Sequence, residues 1–286
     1  MNPYIQSLRL RTLPLSMSGI ILGTGLAMRG GVAISQAWQI FALAICTTLS
    51  LQILSNLCNE YGDALKGTDA NQQEREAYGL QAGTITMNEI ERMIFTFLAL
   101  SGFFGILLIY SAFGTLFSWR SLGFMGLGLL AMVGAITYTV GKHNYGYKGF
   151  GDLGVFLFFG LLSTVGAYYL QVQTVNLEIW LLGTAIGFPC VGVLNLNNIR
   201  DMENDLAHGK RTFASLLGPT GGRVYHTLLI VGCLALFAAF GHLWTLLIIP
   251  VWAWHPWYVW THTEKLDKQM PVLMFTTLIV SILGIF

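Results

Sequence analysis

The 286-residue sequence predicts an all-α polytopic membrane protein: nine transmembrane helices, a four-helix repeat used twice plus one, in a single integral-membrane domain over residues 1–286. Three observations predict it. First, 54% of the residues are hydrophobic and only 10% charged, where a soluble globule carries about 25% charge; the mean hydropathy of +0.62 agrees. Second, the apolar residues fall into runs of the roughly 20 residues that cross a bilayer. Third, the basic residues gather on alternate connections between those runs.

The runs lie near residues 14–28, 38–58, 93–117, 119–140, 152–173, 177–197, 222–241, 243–262 and 271–286. The first follows Arg9 and Arg11 and has the layout of a secretory signal, but the charge bookkeeping below works only if it is retained and spans. The second ends in NEYGDALKGTD. A polar stretch follows, roughly Asp63 to Thr86, long enough to close over a site. Thr86 and Glu89 then form a capping box that starts the third helix. The fourth and fifth are joined by YTVGKHNYGYKGFGD. Pro189 removes a backbone hydrogen bond in the sixth and should bend it; that helix ends in NLNNIRDMENDLAHGKRT. The eighth carries Trp252, Trp254, Trp257, Tyr258 and Trp260, an interfacial or packing series, and the ninth is short and stops at Phe286. Helices two and six are four apart and both end in an Asn/Asp cluster, which is what suggests the repeat.

With a cytoplasmic N-terminus, thirteen of the fifteen Lys and Arg residues fall on inner connections, and only Arg29 and Arg120 fall outside. This asymmetry orients the chain. Trp38, Trp119, Trp180 and Trp244 open the even-numbered helices at the outer face, as an aromatic belt does. The working face is therefore expected to be cytoplasmic, in a cell inner membrane.

Carboxylates are costly near a bilayer and mark function. Asn59, Asp63 and Asp69 form one cluster; Asn197, Asn198, Asp201 and Asp205 form the other. Asn59/Asp63, Asn197/Asp201 and Asp201/Asp205 are i, i+4 pairs that share a helix face. Oxygen-only groups on converging faces suit Mg²⁺. Asp63, Asp69, Asp201 and Asp205 would repel one another unless cations lay between them; about two Mg²⁺ ions in that position can clamp a diphosphate. Lys66, Arg200, Lys210 and Arg211, beside or within the clusters, would take up its remaining charge. A lone Asp at a helix end, such as Asp152 or Asp267, is ordinarily a solvated interfacial charge.

Other features exclude more than they suggest. A net charge of +1 with no basic arm argues against nucleic acid. Cys46, Cys58, Cys190 and Cys233 lack CxxC spacing and read as small buried residues. The six histidines show no zinc spacing. GTGLAMRGG continues a membrane helix, so its glycines serve close helix packing instead of a phosphate loop.

NEYGDALKGTD and NNIRDMENDLAHGKRT resemble the paired aspartate motifs of the UbiA superfamily of intramembrane prenyltransferases, and the resemblance covers essentially the whole chain. Within it, RLRTLPLSMSGIILGTG and YTVGKHNYGYKGFGDLGVFLFFG are similar to the 1,4-dihydroxy-2-naphthoate polyprenyltransferases; the YPxxKR-type pattern usual in 4-hydroxybenzoate enzymes is absent. The resemblance implies a UbiA-like fold and transfer of a polyprenyl group from polyprenyl diphosphate to 1,4-dihydroxy-2-naphthoate with decarboxylation, giving demethylmenaquinol for menaquinone. It implies Mg²⁺, with Mn²⁺ able to substitute, on Asn59, Asp63, Asp69, Asn198, Asp201 and Asp205. Asp63, Asp201, Lys148, Tyr138 and Asp152 are implied as catalytic. Lys66, Arg200, Lys210, Arg211, Tyr147 and Arg11 are implied as substrate-binding. The family commonly has Glu where Asp152 aligns. Partners are the two substrates and the bilayer, with no obligatory protein partner.

Two alternatives stand beside this reading. An ion-coupled secondary transporter would share bent helices and membrane-level carboxylates, but it needs an acidic site facing outward as well. Another aromatic acceptor, homogentisate or 4-hydroxybenzoate, is the rival within the enzyme class.

Overall fold

The computed structural model describes residues 2–68, 77–142, 144–262 and 266–286. These residues are helical or looped, and the only β feature among them is an isolated bridge between Lys148 and Arg211. The longer helices are α1 (Leu13–Arg29), α2 (Ile34–Lys66), α3 (Met87–Phe113), α4 (Trp119–Thr137), α5 (Gly151–Val172), α6 (Leu177–Arg200), α7 (Phe213–Ala239), α8 (Ile249–Thr261) and α9 (Gln269–Leu283); Pro3–Ser7 and Met202–Ala207 form short helical turns.

Seven helices among the described residues are both long and apolar enough to cross a membrane, not the nine expected. The shortfall has a local cause. α1 is 17 residues long, and the eighth run is divided between a 3₁₀ turn, Leu243–Ile248, and the 13-residue α8. Pro250 stands in the first turn of α8, where its missing N–H costs nothing and the chain leaves the 3₁₀ geometry. α7 also starts earlier than expected, at Phe213: a short helical segment leads into a kink at Gly218 (φ 72°, ψ 174°), and the longer segment resumes at Pro219. The expected capping box is present: Thr86 Oγ1 accepts from Glu89 N at 3.3 Å, and Glu89 Oε2 accepts from Thr86 N at 2.8 Å.

α6 is the central post. In its apolar window 61% of residues are buried, against 11% for α4, so α4 presents most of its surface outward. α6 packs on α5, α7 and α9, and α1 lies in the angle between α5, α9 and α2. Leu22, Leu182, Ile186, Leu196, Ile230 and Leu273 form the centre of this half. α3 and α4 attach through α2. Close approach is built with glycine where α5 crosses α6: a Cβ on Gly160 would lie 2.5 Å from Gly187 Cα. The same stretch of α5, Phe156–Leu162, is wound as a π-helix, which turns Phe158 and Phe159 into the cavity described next. Trp38, Trp119, Trp180 and Trp244, expected at one membrane face, are exposed.

Candidate active site

A cavity of about 360 Å³ lies between α1, α2, α3, α4, α5 and α6, with α9 touching one side. Its polar end carries Arg9, Asn59, Asp63, Tyr138, Asn197 and Lys210; Leu108, Phe124, Leu127 and Leu170 line its apolar end. Both Asp63 and Ala44 of α2 lie on the wall, a run of roughly 28 Å along that helix. The space is thus a long apolar slot with charge at one mouth.

α2 ends at Gly67, whose φ of 70° closes the last turn in the left-handed region. That stop leaves Asp63 and Lys66 in the final turn. Asp63 Oδ1 accepts from Tyr147 Oη at 2.6 Å, and the same phenol lies 2.8 Å from Thr68 Oγ1. Burial, and then the Asp63 charge, push the Tyr147 phenol well above its ordinary pKa, so it stays a proton donor. Lys66 Nζ donates to the Thr139 carbonyl at 2.5 Å and sits 3.7 Å from the Tyr147 ring centre. Thr139 Oγ1 donates toward Asn59 Oδ1 at 3.0 Å. The loop between α4 and α5 therefore orients the first cluster.

The second cluster sits at the end of α6. Arg200 grips Asp201 with two bonds, Nε to Oδ1 at 2.6 Å and Nη2 to Oδ2 at 2.5 Å. Its remaining donors reach Asp267 Oδ1 at 2.7 Å and Asn197 Oδ1 at 2.7 Å. Arg11 bonds Asp267 from the other side at 3.3 Å and donates to Tyr78 Oη at 3.1 Å. Asp267 is thus a bridge between two arginines and not the solvated charge its place in the sequence suggests. Lys210 Nζ lies 3.0 Å from Asp205 Oδ2 and 3.1 Å from Oδ1. Burial pushes the Asp205 carboxyl up to about 6 in spite of Lys210. Burial would lower the Lys210 ammonium, but Asp205, Asp63 and Asp201 outweigh it and raise it to about 12. Those three carboxylates come from both clusters, so the two meet at Lys210.

Several expected site residues take other places. Asp69 lies outside the described residues. Asn198 is buried off the cavity wall with its Oδ1 unpartnered, and Asn197 lines the cavity instead. Asp152 is buried against α7, where it bonds Tyr225, and does not line the cavity. Lys148 and Arg211 are exposed, and Arg211 contributes its backbone N–H to the Tyr147 carbonyl at 3.0 Å. Tyr138, Tyr145 and Asp63 line one wall together. Arg9, Tyr78 and Asp267 were not predicted. Arg11 and Asp267 meet across nearly the whole length of the chain, and no local pattern signals such a contact.

Among the described residues, no three His, Cys, Asp or Glu side chains form a ready-made metal cage. Mg²⁺ does not need one, because it binds through one or two carboxylates and completes its shell with water and substrate phosphate oxygens. Asp63, Asp201 and Asp205 offer oxygen donors of that kind. Lys210 and Arg200 offset the charge of Asp205 and Asp201 in the free protein, a role that a bound metal would take over.

The family model described as the UbiA prenyltransferase family matches residues 16–282. The chain is 40% identical over 260 residues to the 1,4-dihydroxy-2-naphthoate octaprenyltransferase of Escherichia coli, covering 88% of this chain and 79% of that one. It is 37% identical to the protein of the same name from Haemophilus influenzae, covering 98% and 92%. Among solved structures, a UbiA homolog from Aeropyrum pernix K1 superposes with a TM-score of 0.70 at 19% identity over 96% of both chains. A UbiA homolog from Archaeoglobus fulgidus, bound to DMAPP and Mg²⁺, gives 0.62 at 15% identity over 98% of both. At such identities the structural likeness bears on the fold, and the sequence relatives bear on the family. The chain belongs to the UbiA prenyltransferase family.

Proposed function

We propose that the chain transfers a polyprenyl group from polyprenyl diphosphate to 1,4-dihydroxy-2-naphthoate, with loss of the carboxyl group as CO2, to give demethylmenaquinol in menaquinone biosynthesis. The observation that carries the reading is the meeting of both Asn/Asp clusters around Lys210 at the mouth of an apolar slot. The relatives at 40% and 37% identity support the naphthoate acceptor.

Asp63, Asp201 and Asp205, with Asn59 and Asn197, are the residues that would hold Mg²⁺, and the bound metal would supply Lewis-acid stabilisation to the departing diphosphate. Lys210, Lys66 and Arg200 supply the remaining positive charge. Tyr147 holds the Asp63 carboxylate in one orientation through its 2.6 Å hydrogen bond. The apolar wall takes the prenyl tail and keeps water from the allylic carbon. The C1–O bond breaks with its electron pair leaving on the diphosphate, the electron-rich ring carbon that bears the carboxylate forms the new C–C bond, and its bond to the carboxylate then breaks, releasing CO2 and returning that electron pair to the ring. Asp201, gripped by Arg200 in the free protein, must share its oxygens before it can hold a metal, so substrate binding and opening of that pair are coupled.

The chain is a multi-pass membrane protein. The thirteen-to-two charge asymmetry supports a cytoplasmic N-terminus and active face. A single cysteine at His208 in a cysteine-free background should be labelled from the cytoplasmic side alone. For the function, detergent-purified protein is incubated with 1,4-dihydroxy-2-naphthoate, a prenyl diphosphate and Mg²⁺, then with chelator. The reading expects a decarboxylated prenyl naphthoquinol that disappears on chelation and returns with Mg²⁺ or Mn²⁺. Absence of that product from active, folded protein would sink it.

A further inference from the structure

Arg9 differs from the other cations at the polar mouth. Arg11 and Arg200 share Asp267, Arg200 also holds Asp201, and Lys210 holds Asp205. Arg9 lines the same cavity, yet two of its guanidinium nitrogens, Nε and Nη2, are buried without a hydrogen-bond partner. Its one described contact of consequence is with the Tyr78 ring, whose centre lies 4.0 Å from the guanidinium carbon. Buried charged donors left unmade are costly, so a group that completes them belongs in this space.

The backbone argues the same way. Arg9 has φ 51° and ψ 53°, in the left-handed region that a long L side chain seldom adopts. The conformation is held from three directions: Asn56 Nδ2 donates to the Leu8 carbonyl at 2.9 Å, Thr12 Oγ1 to the Arg9 carbonyl at 2.9 Å, and Gln52 Nε2 to Thr12 Oγ1 at 3.1 Å. Strain that neighbours over-determine in this way is characteristic of binding sites. Asn56 and Gln52 lie roughly 10 to 16 Å along α2 from Asp63, toward the apolar part of the slot. Gln52 Oε1 is also buried and unpartnered there.

We propose that Arg9 is the subsite for the carboxylate of the aromatic acceptor, with Gln52 Oε1 taking a ring hydroxyl. The assignment rests on the prenyltransferase reading above and adds the acceptor's position to it. A guanidinium fork pairs a carboxylate through two hydrogen bonds. The diphosphate already has Lys210, Lys66, Arg200 and the metal donors on the Asp63 side of that mouth. A ring placed between Arg9 and Asp63 therefore lies beside the allylic carbon, with its acid group pointing away from the leaving group.

The test uses full-length purified protein and two unreactive probes, 1-hydroxy-2-naphthoate and 1-naphthol, which differ only in the carboxylate. Binding is measured by calorimetry and the KM for prenyl diphosphate by product formation. Arg9→Gln should weaken the naphthoate by about tenfold or more, leaving naphthol binding and the diphosphate KM within about twofold of wild type. Arg9→Gly keeps the backbone at ease in the left-handed region, so it folds and should show the same selective loss; Arg9→Lys, which lacks the fork, should fall between. A naphthoate affinity unchanged in Arg9→Gly, or a rise confined to the diphosphate KM, overturns the subsite. Wild-type protein that binds naphthoate but transfers nothing to dihydroxynaphthoate overturns the function and leaves the subsite standing.

Discussion

Removing Lys210 should convert its surroundings from a neutralised cluster into a repelling one. In Lys210→Met the carboxyl of Asp205, only 3% exposed, loses the ammonium 3.0 Å away. Breaking a buried ion pair from one side costs roughly 3 to 5 kcal/mol. Asp205 tempers this by taking up a proton: its pKa is already about 6, above the ordinary 3.8. The sign follows. The folded protein binds this proton more tightly than the unfolded chain does, so metal-free wild-type stability falls as pH rises from about 4 to about 6, by roughly 3 kcal/mol. In the variant the carboxyl rises further, and the loss extends to higher pH. The variant's melting midpoint should therefore lie close to wild type at pH 5 and about 6 °C or more below it at pH 7.5, taking ~2 °C per kcal/mol for a chain of this size. Added Mg²⁺ should raise the variant more than the wild type, because its carboxylates have no competing ammonium. Differential scanning fluorimetry in detergent, with and without chelator, reads both effects. Equal midpoints at pH 7.5, or a gap independent of pH, would refute the electrostatic reading of the site.

Three further outcomes follow from the same geometry. Asp63→Ala and Asp201→Ala should each abolish turnover; Asp201→Ala should also lower the melting midpoint by several degrees, because it breaks the buried pair with Arg200, and near-normal activity in either would remove the two-cluster model. Tyr147→Phe deletes the 2.6 Å hydrogen bond to Asp63; kcat should fall about tenfold, on the order of one charge-assisted bond, with the acceptor KM little changed. Asp267→Asn releases Arg11 and weakens the hold on Arg200; the KM for prenyl diphosphate should rise severalfold, and Asp267→Glu should recover part of it. Initial-rate kinetics with each substrate varied in turn distinguishes these, and an Asp267→Asn enzyme with unchanged diphosphate KM would count against the bridge.

The helices were legible because a bilayer imposes a length and a composition that any run of residues must meet. The two clusters were legible because i, i+4 spacing at helix ends survives into the fold. Asn59, Asp63, Lys66, Tyr147 and Lys210 stand together as the motifs suggested. What the sequence concealed lies in long-range contacts and backbone conformation. Asn197 and Asn198 are neighbours, and only the rotation of α6 decides which faces the cavity. Asp152 looks like a site residue beside Tyr147 and Lys148, but α5 turns it toward Tyr225. Asp267 becomes a bridge because α9 begins against the ends of α1 and α6. The left-handed turn at Arg9 has no glycine or asparagine to announce it. The eighth run reads as one continuous segment in hydropathy, and the structure winds it as a 3₁₀ turn followed by α8.

The central claim, prenyl transfer to a naphthoate acceptor, is tested most directly by competition. Purified protein receives one prenyl diphosphate, Mg²⁺ and an equimolar mixture of 1,4-dihydroxy-2-naphthoate, homogentisate and 4-hydroxybenzoate, and products are identified by mass. The account predicts that the prenylated naphthoquinol, lighter than the simple adduct by one CO2, dominates from the earliest time points. Equal or faster prenylation of 4-hydroxybenzoate, or a naphthoate product that keeps its carboxyl mass, would contradict it.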